Sequence, residues 1–370
     1  MYRIKPEKRE MKERTAYLVN TSRCQIVRWP TFDEQVVPLY RNKSNERIHC
    51  KTDDHFRDVT IERYNFTGVR VVNKSGKPMN CSYSIVSRRS GTDGYLDYSR
   101  GHGLVAITCV LGKEKYVKAI PLIPDLSIKP HNESQNLPNI LFVGIDSISR
   151  LNFDRHFPKT IQLLDRHDFY TMYGYNKVAD NTYPNLTPLL TGHYIDDLWN
   201  ETMSKKDYHN RGYNTLLMED WPQVAAFNFL KKGFSEPPTD YYLRPYSLAI
   251  DKKVKNNCYY DRTEIETYYD YIYDFVTAMT RRNQKYFAFT FMARLTHDHL
   301  NSAGLADLPV HHLLNKLFDS DLLSNTILIF FSDHGIRFGT IRETLSGKLE
   351  ERMPFMHLGA PVAYLSMKTG

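Results

Sequence analysis

Residues 331–335 read Phe331-Ser332-Asp333-His334-Gly335, and they follow the apolar run Thr326-Ile327-Leu328-Ile329-Phe330. Such a run of apolar and β-branched residues predicts a buried strand, and the glycine behind it allows a tight turn. In an open α/β sheet, ligands bind beyond the carboxyl ends of the strands, where Asp333 and His334 would lie. A carboxylate beside an imidazole suits a divalent metal, although an aspartate that only caps a turn would give the same pattern.

Other apolar runs beyond residue 136 follow the same plan. The run Ile140-Leu141-Phe142-Val143-Gly144-Ile145 ends at Asp146, which predicts a buried parallel strand with an acid at its carboxyl end. Further strands are predicted at residues 169–175, 213–220 and 286–293, and helices at 157–165 and 263–282. Because strands alternate with helices, we predict an α/β domain with a doubly wound, mostly parallel sheet over residues 137–370.

Residues 1–136 have a different character. Short β-type runs at 68–72, 81–86 and 104–110 are bounded by Gly, Asn and Lys, and residues 73–78 form a turn signal between two of them. This part lacks clustered catalytic residue types. We therefore predict a smaller β-rich, disulfide-containing N-terminal module over 1–136, joined to the second domain by the polar linker 128–136.

The composition is that of an ordinary globular protein, with 41% apolar and 25% charged residues. The formal charge of +7 comes from 49 basic and 42 acidic residues that are interspersed along the chain. Neither a basic face nor an RNA-binding signature is found, so nucleic acid is not an expected partner.

Cysteines and glycosylation sequons indicate an oxidising compartment. The eight Asn-x-Ser/Thr sequons begin at Asn20, Asn42, Asn65, Asn73, Asn80, Asn132, Asn185 and Asn200. Four of the five cysteines, Cys24, Cys50, Cys81 and Cys109, lie in the first 110 residues, and Cys258 follows later. Three connectivities are open for the first four, and we expect Cys24–Cys50 and Cys81–Cys109. The N-terminus shows no apolar targeting segment. We expect that a longer form of the protein carries this segment and that the given sequence lacks it.

Thr182 precedes a predicted helix that Pro184 can begin and Gly192 can end. A hydroxyl at a helix N-terminus lies in positive potential, which favours its alkoxide and a bound phosphate or sulfate. A plain N-cap role for Thr182 is the simpler alternative.

Together these strand ends suggest one site. Asp146, Asp333 and His334 form a plausible ligand set for Zn²⁺, Mn²⁺, Ca²⁺ or Mg²⁺. A metal that also contacts the Thr182 hydroxyl would lower its pKa and make it a nucleophile. Attack on phosphorus or sulfur would then give a covalent threonyl intermediate that water releases.

Four motifs in this order resemble the alkaline phosphatase/sulfatase superfamily, and specifically its DUF229 family. The motifs are residues 139–147, Thr182-Tyr183-Pro184-Asn185 with 190–192, Leu295-Thr296-His297-Asp298, and 329–335 extended by Arg342-Glu343 and Glu350-Glu351-Arg352. The resemblance implies Asp146, Asp333 and His334 as metal ligands and Thr182 as nucleophile and further ligand. It also implies that His297 contacts the substrate or protonates the leaving group. The alternative is that His297 has only a structural role.

Departures from the superfamily pattern limit what the resemblance implies. Sulfatases use Cys or Ser as a formylglycine precursor with an Arg four residues later, whereas this chain has Thr182 and Leu186. The Thr-aromatic-Pro-Asn form is similar to nucleotide pyrophosphatase/phosphodiesterases, but the second metal site of those enzymes has no clear counterpart around Asp298. We also expect the α/β domain to be incomplete at its C-terminus.

The expected function is a metal-dependent hydrolase or transferase that acts on phosphate esters, located outside the cell or in the secretory lumen. We expect membrane attachment only through a segment of a longer form. Alternatives are a non-catalytic extracellular glycoprotein that keeps the fold as a binding module and, less favoured, a sulfatase.

Overall fold

The computed structural model describes residues 17–51, 56–89, 91, 93, 96–97, 103–126, 137–195, 208–209 and 211–361. Within them the strands are β1 (Tyr17–Asn20), β2 (Gln25–Val27), β3 (Val59–Tyr64), β4 (Gly68–Asn73), β5 (Met79–Ile85), β6 (Ser87–Arg88), β7 (Leu96–Asp97), β8 (Leu104–Leu111), β9 (Glu114–Pro121), β10 (Asn139–Ile145), β11 (Tyr170–Thr171), β12 (Asn214–Glu219), β13 (Tyr241–Tyr242), β14 (Cys258–Tyr259), β15 (Arg262–Thr263), β16 (Tyr286–Met292), β17 (Thr326–Phe331) and β18 (Met356–Gly359).

The α-helices are α1 (Arg150–His156), α2 (Pro158–Arg166), α3 (Thr182–Thr191), α4 (Arg244–Asp251), α5 (Glu264–Arg281), α6 (Ala303–Asp319) and α7 (Leu345–Glu350). Short 3₁₀ helices cover Leu300–Ser302 and Thr340–Glu343. None of the helices in the described part of the chain has the length and apolar character of a membrane span.

The chain forms two compact units, and each is discontinuous in sequence. The first contains residues 1–46, 140–201 and 293–370, and the second contains residues 47–139 and 202–292. The predicted boundary near residue 136 stays a prediction, because its linker lies outside the described residues.

In the first unit, the strands of the large mixed sheet run in the order β11–β18–β17–β10. β18 pairs antiparallel with both β11 and β17. The core beside this sheet is aromatic: Phe153 lies 4.7 Å from Phe157, 4.4 Å from Phe355 and 5.7 Å from Phe330, measured between ring centroids. Burial of each such ring stabilises the unit by about 1.5–3 kcal/mol.

In the second unit, three parallel strands run in the order β16–β12–β13. The β-rich part adds the hairpin β3–β4 and the antiparallel sheet β5–β8–β9. Helix α5 starts with a capping box. The Thr263 side chain accepts from the Glu266 backbone N–H, and the Glu266 side chain accepts from the Thr263 backbone N–H.

The predicted α/β class with parallel strands is confirmed.

One predicted disulfide is confirmed and one is wrong. Cys81 and Cys109 face each other on β5 and β8 and are bonded. Cys50 is bonded to Cys258 instead of Cys24, which is exposed and free. Spacing alone favoured a partner close in sequence, whereas the fold brings β14 to Cys50 from 208 residues away.

The strand predicted at residues 169–175 is much shorter in the structure. Only Tyr170–Thr171 pair as a strand, at the edge of the sheet. After Met172 donates to the Met356 carbonyl, the chain turns, with the Tyr175 N–H bonded to the Met172 carbonyl. The sequence pattern also missed the antiparallel strand β18.

Candidate active site

Three predicted site residues lie together beyond the ends of β10 and β17. Asp146 follows β10, and Asp333 and His334 follow β17. Each is 2% exposed or less. One ligand atom from each residue lies within 4.8 Å of the other two, a grouping suited to a metal ion. Buried carboxylates and an imidazole with converging ligand atoms are an expensive arrangement for folding alone, since burial disfavours charge.

The two loops after these strands are tied to each other by buried hydrogen bonds. Ser332 Oγ accepts from the Ile148 N–H at 2.9 Å and donates to the His334 carbonyl at 3.1 Å. Ser147 Oγ donates to Asp146 Oδ1 at 2.8 Å. The backbone of Ser147 has φ 64°, a left-handed conformation unusual for serine. Strain of this kind is typical of functional sites whose surroundings fix the backbone.

Gly335 lets the second loop lie directly on another segment. Its N–H donates to the Glu351 carbonyl at 3.0 Å. A Cβ at this position would lie 2.2 Å from the Glu350 carbonyl oxygen. Only glycine permits this approach, and it fixes the turn that carries Asp333 and His334.

The hydrogen bonds of His334 define which nitrogen is available. Nδ1 lies 2.9 Å from the Gly335 carbonyl oxygen, which can only accept, so we assign the hydrogen to Nδ1. Burial lowers the pKa of His334, which keeps the ring neutral. Nε2 therefore presents a lone pair, as metal-binding imidazoles do.

That lone pair faces carboxylate oxygens. Nε2 of His334 lies 3.1 Å from Asp333 Oδ2 and 3.7 Å from Asp146 Oδ1. Asp333 Oδ2 is buried and has no hydrogen-bond donor among the described residues. Burial, together with the nearby Asp333 carboxylate, raises the pKa of Asp146 well above its usual value. Acceptors that face one another without a donor fit a cation, which would offset their repulsion.

Thr182 lies next to this group. It is the first residue of α3, and Asn181 occupies the N-cap position without a side-chain capping bond. Thr182 Oγ1 is 3.4 Å from Nε2 of His334. Thr182 is therefore not the N-cap residue of α3, and its hydroxyl points to the buried carboxylates and His334.

The segment before α3 is held by Asn185 and Arg337. Asn185 Oδ1 accepts from the N–H groups of Val178 and Ala179, and its Nδ2 donates to the carbonyls of Ala179 and Asn181. Asn185 is 5% exposed, so this sequon is a structural amide in the fold and not a glycan site. Arg337 Nη1 donates to the Asp180 carbonyl and, at 2.8 Å, to Asn181 Oδ1.

His297 is not a member of the three-residue ligand group. Its Nδ1 lies 2.6 Å from Asp298 Oδ1, and its ring is 5.2 Å from that of Phe338. The preceding Thr296 donates to the Asp146 carbonyl at 2.8 Å, which ties the His297 loop to the end of β10.

Several supporting residues were not predicted. Ser332 and Arg337 are within six residues of the Asp-His pair, but nothing in their spacing signals their contacts. Glu350 lies in one of the four motifs, but the sequence gives it no role. It forms a buried ion pair with Arg155 at 2.5 Å and accepts from Ser149 Oγ, the N-cap of α1, at 2.6 Å.

Solved structures similar to this chain include three bacterial proteins. The lipoteichoic acid synthase LtaP of Listeria monocytogenes is 13% identical, with a TM-score of 0.40 over 64% of this chain and 69% of that one. The periplasmic domain of EptC from Escherichia coli is 17% identical, with a TM-score of 0.44 over 64% and 77%. A putative sulfatase, YidJ of Bacteroides fragilis, is 14% identical, with a TM-score of 0.42 over 64% and 70%.

A comparison with curated proteins gave no match. The family described as protein of unknown function DUF229 matches residues 5–364, which is nearly the whole length. The resemblance carried by the four motifs is thereby confirmed, and the chain belongs to the DUF229 family.

Proposed function

We propose that this protein is a metal-dependent hydrolase or transferase that acts on phosphate esters through Thr182. The observation that carries the proposal is the position of Thr182 Oγ1, 3.4 Å from Nε2 of a neutral, buried His334. A hydroxyl at the first turn of a helix, beside converging buried ligands, supports the nucleophile role proposed for Thr182.

Asp146, Asp333 and His334 would hold the metal, with the Thr182 hydroxyl as a further ligand. The match rests on the unpaired Asp333 Oδ2 and on the lone pair of Nε2, which face each other at 3.1 Å. Two carboxylates and one imidazole suit Zn²⁺ or Mn²⁺, and Mg²⁺ or Ca²⁺ less well. When bound, the cation supplies a Lewis acid that lowers the pKa of the threonine hydroxyl.

The chain's own residues account for the rest of the reaction. Thr182 Oγ bonds to phosphorus, its proton passes to solvent, and the bond from phosphorus to the leaving oxygen breaks. The positive end of the α3 dipole favours the negative charge of the phosphoryl oxygens. Water, or an acceptor alcohol in a transferase, then releases the threonyl ester.

His297 is the proposed acid for the leaving oxygen. Asp298 Oδ1 lies 2.6 Å from Nδ1 and holds a hydrogen on that nitrogen. Nε2 is then the nitrogen that we propose acts on the substrate. A protonated Nε2 would donate to the leaving alcohol, and the same atom could accept a proton from the incoming water.

We further propose an oxidising compartment for the protein. Two disulfides support this, and five of the sequon asparagines are exposed: Asn20, Asn42, Asn65, Asn73 and Asn80. Cys50–Cys258 joins distant parts of one unit, so reduction would loosen that unit.

Hydrolysis of aryl phosphate mono- and diesters with added Zn²⁺ or Mn²⁺ tests the proposal. Thr182→Ala should lower kcat at least about 10³-fold, because the nucleophile is removed, whereas Thr182→Ser should keep part of the activity. Thr191→Ala at the other end of α3 is the matched control, since its hydroxyl bonds to the backbone of Thr187 and His193, away from the ligand group. Wild-type turnover no higher than that of Thr182→Ala would leave the non-catalytic binding protein as the better account.

A further inference from the structure

A turn in the second unit displays two large apolar side chains to solvent. Leu230 is 90% exposed, the highest value for a large apolar side chain in the described part of the chain, and the adjacent Phe229 is 49% exposed. Single exposed apolar residues are common, but two adjacent ones at a turn form a small apolar tip. Residues 229–230 are called the apolar tip below.

The backbone of the apolar tip is strained in order to display Leu230. The Lys231 N–H donates to the Asn228 carbonyl at 3.0 Å, which closes a four-residue turn. Leu230, third in that turn, has φ 55°. Gly or Asn is preferred where a turn needs positive φ, and leucine is unfavourable there. Folding alone therefore gives no reason for leucine at this position.

The turn stands on a rigid base. Asp93 is 4% exposed, and its Oδ2 accepts from Asn228 Nδ2 at 2.5 Å and from the Phe234 N–H at 3.2 Å. Arg88 neutralises this carboxylate, with Nη1 at 3.0 Å from Oδ1. Gly233 allows the close approach, because a Cβ there would lie 2.4 Å from Asp93 Oδ2. Both ends of the turn are thus fixed by one buried acid.

The charge next to the tip indicates what it contacts. Lys231 and Lys232 follow Leu230 directly and are both exposed. Apolar side chains beside cations suit the interface of an anionic membrane, because the apolar part can enter the headgroup boundary and each lysine near the surface adds electrostatic attraction to the anionic lipids. A stable protein interface buries about 800 Å² on each partner, far more than a projecting pair of side chains offers.

We propose that the apolar tip is a peripheral contact for an anionic lipid bilayer. Phe229 and Leu230 enter the boundary between headgroups and acyl chains, and Lys231 and Lys232 lie against lipid phosphates. This contact requires neither a membrane-spanning segment nor catalysis at Thr182.

Co-sedimentation of the full chain with vesicles of phosphatidylcholine and phosphatidylserine tests the proposal. Leu230→Asn should lower binding at least about tenfold, because the apolar side chain is lost. The same variant should raise the Tm by about 2–4 °C, because asparagine accepts positive φ. A structural role for Leu230 would instead lower the Tm. Val27→Asn, at an aliphatic side chain 58% exposed, is the matched control and should leave vesicle binding unchanged.

A second variant tests the charge. Lys231→Gln with Lys232→Gln should weaken binding to these vesicles severalfold, and raised salt should do the same to the wild type. The proposal is overturned if wild-type protein fails to bind the vesicles, or if Leu230→Asn binds as the wild type does. A dimer that dissociates in Leu230→Asn, without vesicle binding, would identify a second copy as the partner and also overturn it.

Discussion

Asp146 and Asp333 are two carboxylates buried around one lone pair of His334. A metal site and a purely structural hydrogen-bond network predict different results when one of these charges is removed. Asp333→Asn removes one charge from the group. We expect metal-free Asp333→Asn to be at least as stable as the metal-free wild type, because repulsion is relieved. The Tm rise that Zn²⁺ gives the wild type should largely disappear, since saturation at about 100 times Kd contributes about 2.7 kcal/mol. Thermal melts with EDTA and with Zn²⁺ measure both effects.

Asp319→Asn is the control, at an exposed carboxylate at the end of α6. It should leave the Zn²⁺ effect on the Tm intact. If metal-free Asp333→Asn is several kcal/mol less stable and the wild type shows no response to Zn²⁺, Asp333 is a structural acid and the proposed metal site is wrong.

For single residues, the sequence predicts the place in a strand or helix better than it predicts side-chain contacts. Asp146, Asp333 and His334 follow apolar runs, so strand periodicity places them at the ends of strands. A proline and a glycine delimit the helix of Thr182, so the sequence also predicts that Thr182 lies at a helix start. The contacts of Ser332 and Arg337 could not be predicted, because they depend on which loops meet in space.

The turn after β17 and the start of the segment after α7 act as one element. Gly335→Ala would place a methyl group 2.2 Å from the Glu350 carbonyl oxygen, a backbone atom that cannot swing aside. We expect a loss of about 1–3 kcal/mol of stability from this overpacking. Zn²⁺ affinity should also fall, because the loop that carries Asp333 and His334 must shift. Chemical denaturation and Zn²⁺ titration measure the two effects.

Gly174→Ala is the matched control for that substitution. A Cβ at Gly174 would meet only the tip of Ile26, at 3.8 Å. We expect its stability and Zn²⁺ affinity to stay close to the wild-type values. Equal behaviour of the two variants would show that the close approach at Gly335 does not hold the loop.

For elements, hydrophobic pattern was enough wherever a strand was long and buried on both faces. Residues 140–145, 286–292 and 326–331 are recovered in this way. The short β18 was missed because its four residues, Met356–Gly359, follow a loop and carry no distinctive period. The strand at Tyr170–Thr171 was overestimated, since aromatic residues favour strands whether or not a partner continues beside them.

At the scale of the whole molecule, contacts between segments far apart in the sequence could not be predicted from the sequence. Cys50 pairs with Cys258 because a fold with discontinuous units brings distant segments together. The first unit has a similar long-range contact. Trp29 Nε1 donates to Ser346 Oγ at 3.0 Å, which joins the N-terminal segment to the C-terminal part of that unit. Neither contact has a local signal.

Acid stability is a further property of the whole first unit, through two buried neutral histidines outside the metal group. Burial lowers the pKa of His156 to about 4 and that of His357 to about 3. The His156 ring lies 5.0 Å from the Tyr40 ring at a tilted angle, and His357 lies in the aromatic core beside Phe153. In the unfolded chain both rings take up protons near pH 6.5. Their contribution is therefore complete above that pH and is lost as the pH falls from 6.5 towards 4.

We expect the free energy of unfolding to fall by about 2–4 kcal/mol between pH 7 and pH 5 from these two rings. His357→Gln should reduce that slope, because glutamine does not titrate, although it lowers stability at pH 7. His193→Gln, at an exposed histidine, is the control and should keep the wild-type slope. Urea unfolding at several pH values, with EDTA present to remove metal-linked effects, measures the slope. An unchanged slope in His357→Gln would show that charging this ring does not limit the acid stability of the fold.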